Sequence, residues 1–424
     1  MAILGGGLSG LAAAARLSRG GFKVTVLEKE SCLGGVAANF TRGDGRMIPR
    51  SYHHILRSDT ATVDILRELG LIGRVSWRKI KLKLSIDGQT LDFSGPFDLL
   101  AYRGLPLSSK LRLVLMGGRI LLKKDWTDVE GLSVKDLIGG WGDEMIYRKI
   151  FVPLVDMKFG TDPSAISASW LGIRLHAGEP ITLYGYMPGT SWTGELISSL
   201  SGTILENGGE IRTVSGITRV FAGGGRVSGV EVNGSRLEFD RYISTIPPHA
   251  LHGMLKEAGQ SSPGLDNIAG IRYVSSYNMV AASDSETFDD YWTVAHTPRR
   301  HFGACFTLDK LNPTLRAGSD KSVMNFFTYT PFDDFRFTDE EYAELCRKDA
   351  SEMLGRDIRF NWAEVFRFSS TVPVYYKDYV NPSARLMDNL YLAGIYLTYP
   401  ELSSSGTAMK SGIKAAERMI SDMS

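Results

Sequence analysis

The sequence predicts an α/β fold, a parallel-sheet domain into which an α+β region is inserted. Three observations carry this. A short apolar strand, Ala2-Ile3-Leu4, runs straight into Gly5-Gly6-Gly7-Leu8-Ser9-Gly10 and an Ala-rich helix. The same alternation of buried strand and helix returns at residues 209–248 and again at 389–419. Between these stretches lie half-wet strands, long helical patterns and many aromatic residues, a different texture. At 424 residues the chain is also too long for one ordinary domain.

Each part of the opening has a physical job. Gly5 permits a tight turn, Gly7 lets the backbone approach a pyrophosphate, and Gly10 lets helix and strand pack closely. The N–H groups that open the helix face the phosphates. Val24-Thr25-Val26-Leu27 is the second strand, and it ends on Glu28. That is close to the spacing, roughly 20 residues, at which a carboxylate meets a ribose 2′-OH. Gly20-Gly21 ends the helix, and Gly34-Gly35 forms a second glycine pair. Residues 60–71 read as a helix with Val63, Leu66 and Leu69 on one side.

From Trp77 the texture changes. Lys79, Lys81 and Lys83 alternate with Ile80, Leu82 and Leu84 in one strand with a wet face, and Asp87-Gly88 turns it into a hairpin. Helical patterns dominate residues 108–175. Gly139-Gly140-Trp141-Gly142 does not follow a convincing strand and predicts no second dinucleotide site. Strands follow at 210–214 and 216–220. Gly223-Gly224-Gly225 has no helix after it, so it predicts a hairpin turn into 227–232 and not a phosphate loop. Asp240 to Thr245 is a buried strand stopped by Pro247-Pro248. Residues 267–368 form a second excursion, with a polar helix over 339–354. The last segment has a strand at 389–392, a turn at Ala393-Gly394 and a helix over 405–419 with Ala408, Gly412, Ala415 and Met419 on one face. The domains expected are therefore a discontinuous dinucleotide-binding unit (1–75, 205–266 and 369–424) and a substrate unit (76–204 and 267–368).

Composition narrows the classes. With 48 basic and 47 acidic residues, no field of one sign points to a nucleic-acid partner. Cys32, Cys305 and Cys346 make neither a metal-ligand spacing nor a disulfide framework, which predicts no metal site and fits a cytoplasmic, reducing setting. The chain opens directly on its first strand, so no secretory leader is expected, and no apolar run approaches the roughly 20 residues of a membrane span. Within 111–122, Leu111, Val114, Leu115, Gly118, Leu121 and Leu122 share a face beside a stripe of Arg112, Arg119 and Lys123. This reads first as an ordinary substrate-domain helix, and alternatively as a peripheral membrane contact lying in the interface.

With these motifs in order, the chain resembles the flavoprotein superfamily of monoamine oxidase, protoporphyrinogen oxidase, phytoene desaturase and UDP-galactopyranose mutase. Four pieces carry the resemblance: Gly5 to Glu28 with Gly34-Gly35; Ile217-Thr218-Arg219-Val220; Asp240 to Pro248; and Leu392-Ala393-Gly394 with Ser405-Gly406 and Ser411 to Ala416. It implies a Rossmann-like, GR2-type FAD-binding domain with an inserted α+β substrate domain. It implies FAD as cofactor, held by Gly5, Gly7, Leu8, Ser9, Gly10, Glu28, Lys29, Gly34, Gly35, Ile217, Gly394, Ile395, Ser405, Gly406 and Thr407. Ser403, Ser404 and Ser405 are cap candidates for the last helix, whose electropositive start favours reduced, anionic flavin. Two positions depart from the family pattern: Ile395 stands where an acid is usual, and Val36 where an arginine is common. No cysteine occurs in the last motif, which predicts non-covalent FAD.

The same resemblance supplies catalytic candidates. His53 or His54, after Tyr52, is expected to face the isoalloxazine; the other reading is a hydrogen-bonded histidine at a domain seam. Tyr396 and Tyr399 are expected to frame the substrate, or else to pack their loop. Lys158-Phe159-Gly160 and Arg174 could meet an anionic substrate, although surface solvation is the ordinary reading of such cations. The function implied is an FAD-dependent oxidoreductase passing hydride from a largely apolar small molecule to flavin N5. The alternative is a redox-neutral sugar-nucleotide mutase using reduced FAD, for which Arg299-Arg300 and Tyr375-Tyr376 could grip a diphosphate. A flavin-binding protein without catalysis ranks third.

Overall fold

Short apolar runs become the inner strands of a six-stranded sheet in the computed structural model, which describes residues 1–93, 96–123, 125–176 and 182–423. The order is Glu210–Arg212, Thr25–Leu27, Ala2–Leu4, Tyr242–Ser244, Leu390–Leu392, Arg385–Met387. The first five are parallel and the Arg385–Met387 edge is antiparallel. Ile3 lies between Val26 and Ile243 in register. Every residue of the four strands from Thr25–Leu27 to Leu390–Leu392 is buried, as a parallel sheet covered on both faces demands.

The helix Leu8–Arg19 lies on this sheet and packs closely against Ser405–Ser421. Small residues make that approach possible: a Cβ on Gly412 would stand 1.9 Å from the Ser9 carbonyl oxygen. Ser9 Oγ donates to the Ala408 carbonyl at 2.8 Å across the same contact. The helix Thr60–Glu68 is shorter than the sequence suggests; of the side expected to be apolar Leu66 is buried and Val63 and Leu69 are half-buried, and Thr62 and Ile65 are buried beside them. Gly406 lets this helix pack close, since a Cβ there would fall 2.3 Å from the Thr62 nitrogen. Trp192–Glu206 joins the same core through Trp192, Leu196, Leu200 and Ile204, so cofactor-side packing begins earlier than residue 205.

A three-stranded antiparallel sheet, Ile217–Gly223, Arg226–Val232 and Ser235–Leu237, stands beside the parallel one. Gly224 and Gly225 have φ of 58° and 76°, so the triple glycine is the hairpin turn expected.

The inserted stretches build a seven-stranded sheet. Its order is Trp362–Pro373, Tyr273–Ser283, Ser322–Thr330, Ala304–Thr307, Trp292–Thr297, Leu82–Ile86, Gln89–Asp92. The single strand expected from Trp77 onward is two. Ser76–Lys79 pairs with Leu183–Tyr186, and the chain changes sheets at Ile80 before Leu82–Ile86 begins. Period two was therefore correct locally and could not reveal the change of partner. The helix Asp339–Leu354, closed by a Thr338/Glu341 capping box, covers the outer face through Tyr342, Cys346 and Ala350.

The helix Leu107–Leu122 forms in the inserted stretch as expected, and it turns the side that the sequence marks as apolar away from the core. It buries Leu113, Met116, Gly117 and Ile120. Leu111, Leu115, Leu121 and Leu122, on the face singled out as apolar, are exposed.

Candidate active site

A cavity of about 760 Å³ runs between the parallel sheet and the large inserted sheet. One end is built by the glycine loop. Gly5 and Gly34 adopt φ of 110° and 109°, the left-handed half of backbone space that side chains other than glycine avoid. Gly7 has no neighbouring atom within 4 Å of where its Cβ would stand, so the backbone is open to a ligand. Gly7 caps Leu8–Arg19 without any side-chain hydrogen bond, leaving the first N–H groups of that helix to the cavity. Glu28 is buried; its Oε2 accepts from the Gly6 N–H at 2.6 Å and its Oε1 from the Glu30 N–H at 2.9 Å. Each oxygen retains a lone pair for a ribose hydroxyl.

Gly5, Gly7, Leu8, Ser9, Glu28, Lys29, Gly34, Gly35, Ile217, Gly394, Ile395 and Ser405 all line this cavity. Three others stand behind it. A Cβ on Gly10 would meet the Gly5 carbonyl oxygen at 2.1 Å, Gly406 packs on Thr62, and Thr407 completes the Ser404 capping box of the last helix.

The middle of the cavity is where the two sheets meet. Tyr52, His53, His54 and Tyr396 line it together. Tyr399 does not; its hydroxyl is bonded to Ser167 Oγ at 2.7 Å, and its ring packs between Tyr375 and Tyr379. The turn that carries these tyrosines is pinned from the segment after Trp362–Pro373: Tyr375 donates to the Ile395 carbonyl at 2.9 Å, Tyr379 to that of Tyr396 at 2.6 Å, and Asn381 to that of Tyr399 at 2.6 Å. Gly394, with φ of 149°, leaves room for the Tyr396 ring, which a Cβ would meet at 2.7 Å. Ile395 thus contributes through its backbone.

Burial sets the protonation states. Desolvation lowers the His53 pKa against a bond to the Ser51 carbonyl, and desolvation followed by the charges of His53 and Arg174 pushes His54 down to about 3. Both rings are neutral near pH 7. His54 sits among Tyr52, Tyr184, Tyr291, Trp292 and Phe306. Desolvation raises the Tyr396 phenol and pushes that of Tyr375 up to about 12.

Among the described residues, four buried polar atoms on cavity-lining side chains have no partner in the protein: Arg50 Nε, His54 Nε2, Trp292 Nε1 and Tyr396 OH. Buried polar groups are almost always bonded, so this cluster marks a place where a ligand supplies the partners. Arg50, Lys158 and Arg174 bring cations to the same cavity. Arg50 lies over the Phe366 ring, and Lys158 donates to Tyr329 OH at 3.1 Å beside Trp170. The surface-solvation reading of Lys158 and Arg174 is thereby overturned. Arg50, Trp292 and Tyr329 escaped the sequence reading; only Arg50, two positions before Tyr52, stood near a recognised motif. Arg299 and Arg300 are elsewhere, paired with Asp156 and Glu352. Tyr375 lines the cavity, whereas Tyr376 is exposed.

The model of the flavin-containing amine oxidoreductases matches residues 8–420. Among solved structures, a candidate protoporphyrinogen oxidase from Exiguobacterium sp. 255-15 is similar with a TM-score of 0.76 and 19% identity, over 99% of this chain and 98% of that one. Reduced UDP-galactopyranose mutase gives 0.76 and 14%, over 99% and 95%. Wild-type putrescine oxidase gives 0.69 and 13%, over 99% and 98%. No curated protein matches the sequence. At these identities the likeness speaks for the fold alone. The glycine loop, the open start of the first helix, Glu28 and the unpartnered atoms at the sheet junction all fit a flavin dinucleotide. The chain belongs to the flavin-containing amine oxidoreductase family, and its cofactor is FAD.

Proposed function

We propose that this flavoenzyme oxidises a largely apolar small molecule that carries an anionic group. The observation behind this reading is the charge of the substrate end. Arg50, Lys158 and Arg174 line the same cavity as Trp170, Trp292 and Tyr329, and two of the unpartnered atoms, Arg50 Nε and Trp292 Nε1, can only donate. Aromatic walls take an apolar body, and a cationic, donor-rich set takes an anion. An ammonium substrate would meet like charge there.

Bound FAD supplies hydride acceptance at N5. The protein's own part is binding, orientation and exclusion of water. The open start of Leu8–Arg19 would hold the pyrophosphate, and Glu28 would hold the ribose. The start of Ser405–Ser421 lies on the cavity and favours negative charge on the flavin ring by about 0.3–1 kcal/mol. Neutral His54 and protonated Tyr396 are each able to donate a hydrogen bond at the junction without adding charge. The sugar-nucleotide reading loses its arginine pair, since Arg299 and Arg300 are bound to acids outside the cavity.

The test uses the purified holoenzyme under anaerobic conditions with a long-chain carboxylate, its methyl ester and the amine of equal length. The carboxylate is expected to perturb or bleach the flavin spectrum at the lowest concentration. Arg50→Met should weaken that response about tenfold to hundredfold, the range of one lost charge-assisted bond, and leave the ester unchanged. Bleaching by the amine alone would overturn the proposal. So would turnover of a sugar nucleotide only after dithionite reduction.

A further inference from the structure

We infer that the helix Leu107–Leu122 is an interfacial anchor that seats the enzyme on an anionic lipid surface. Leu107, Leu111, Leu115 and Leu122 follow one another along a single stripe and are 74%, 60%, 64% and 84% exposed. Leu121 extends the stripe at half exposure, and Phe97, on the preceding turn, is also exposed. At 100° per residue this stripe lies opposite the buried side formed by Leu113, Met116, Gly117 and Ile120. A helix packed on its own domain through one face and apolar on the opposite face has a second solvent to satisfy. Isolated exposed leucines are common; four of them on one stripe of a 16-residue helix are not.

Charge names the occupant. Residues 99–124 contain no acidic side chain and six basic ones. Arg112 and Arg119 flank the leucines on one side and Lys110 on the other, the arrangement of a helix lying flat at a lipid headgroup layer, while Lys123 is paired with Asp128. Arg112 and Arg119 are exposed and therefore able to reach phosphates. A protein partner or a second copy would be expected to offer acids against these cations or leave them unpaired, and the helix itself has none to offer in return. No helix among the described residues is long and apolar enough to cross a membrane, so the contact is one of lying on the surface. The stripe also has a short route to the active site. His176, on Ala168–His176, bonds to the Ile120 carbonyl at 3.0 Å, and the same helix carries Trp170 and Arg174 into the cavity. The anchor thus sits directly behind one wall of the substrate end. The inference does not depend on the identity of the substrate.

The experiment is flotation of the holoenzyme with vesicles of phosphatidylcholine alone and of phosphatidylcholine mixed with phosphatidylglycerol, alongside its mass in solution by light scattering. Wild type should float with the mixed vesicles and far less with the neutral ones. Leu111→Glu with Leu115→Glu should reduce the bound fraction at least about tenfold while flavin content and melting temperature stay at wild-type values. Arg112→Gln with Arg119→Gln should weaken binding to the mixed vesicles only. Failure of wild type to float would overturn the inference, as would flotation of the double glutamate variant at wild-type levels. A wild-type dimer that the glutamates split, without flotation, would assign the stripe to self-association instead and equally overturn it.

Discussion

Gly412→Ala puts the helix contact at the head of the cofactor cleft to a direct test. The new methyl would start 1.9 Å from the Ser9 carbonyl oxygen and 2.8 Å from its carbon, both backbone atoms that cannot swing aside. Relief to an ordinary contact requires the two helices to part by more than an ångström. That movement breaks the 2.8 Å bond from Ser9 Oγ to Ala408, a loss of about 0.5–1.5 kcal/mol. Repacking an overfilled core adds about 1–3 kcal/mol. Both helices open onto the cavity, at Ser9 and Ser405, so the displacement is delivered to the cofactor. We expect weaker FAD retention and earlier thermal release of flavin, followed by fluorescence on the purified holoenzyme. Gly253→Ala is the matched control: it is also helical, has nothing within 4 Å of its added methyl, and should be neutral or stabilising by up to about 1 kcal/mol. If Gly412→Ala keeps wild-type flavin affinity and release temperature, the close helix contact does not position the site.

Three further outcomes are expected. Glu28→Ala strands the Gly6 and Glu30 N–H groups and removes the ribose acceptor; at about 1–3 kcal/mol for each stranded donor, the protein should purify with little flavin, measured by its absorbance ratio. His54 has a folded pKa of about 3, below its ordinary value near 6.5, so its neutral form contributes stability that is complete above pH 6.5 and is lost as pH falls toward 3. Chemical denaturation between pH 7 and pH 4 should therefore slope by up to about 1.4 kcal/mol per pH unit for this ring, and His54→Gln should flatten the curve. Tyr396→Phe removes a buried hydroxyl that has no protein partner, so the apoprotein should melt no lower than wild type, while the holoenzyme's flavin spectrum and turnover change. A large loss of apoprotein stability would instead make that hydroxyl structural.

The dinucleotide end was legible because its work is done by backbone. Gly5, Gly7, Gly34 and Glu28 act through turn geometry, close approach and a fixed distance along one βαβ unit, all properties of a short local stretch. The substrate end was not. Arg50, Lys158, Arg174 and Trp292 come from four separate stretches of the chain, and no local pattern says that they share a cavity. Arg299-Arg300 makes the same point from the other side. The doublet looked like a diphosphate grip, but Asp156 and Glu352, remote in sequence, had already claimed it.

The sequence by itself determined the α/β fold, the flavin family and the glycine loop with Glu28 that lines the cavity, because helix starts, positive-φ glycines and buried parallel strands leave their marks within a few residues. Only the tertiary structure decided which face of Leu107–Leu122 meets the core and which cations line the cavity. Amphipathic periodicity reports that a face is apolar but not which surface covers it, and electrostatics depends on distances that only the packing of remote elements sets.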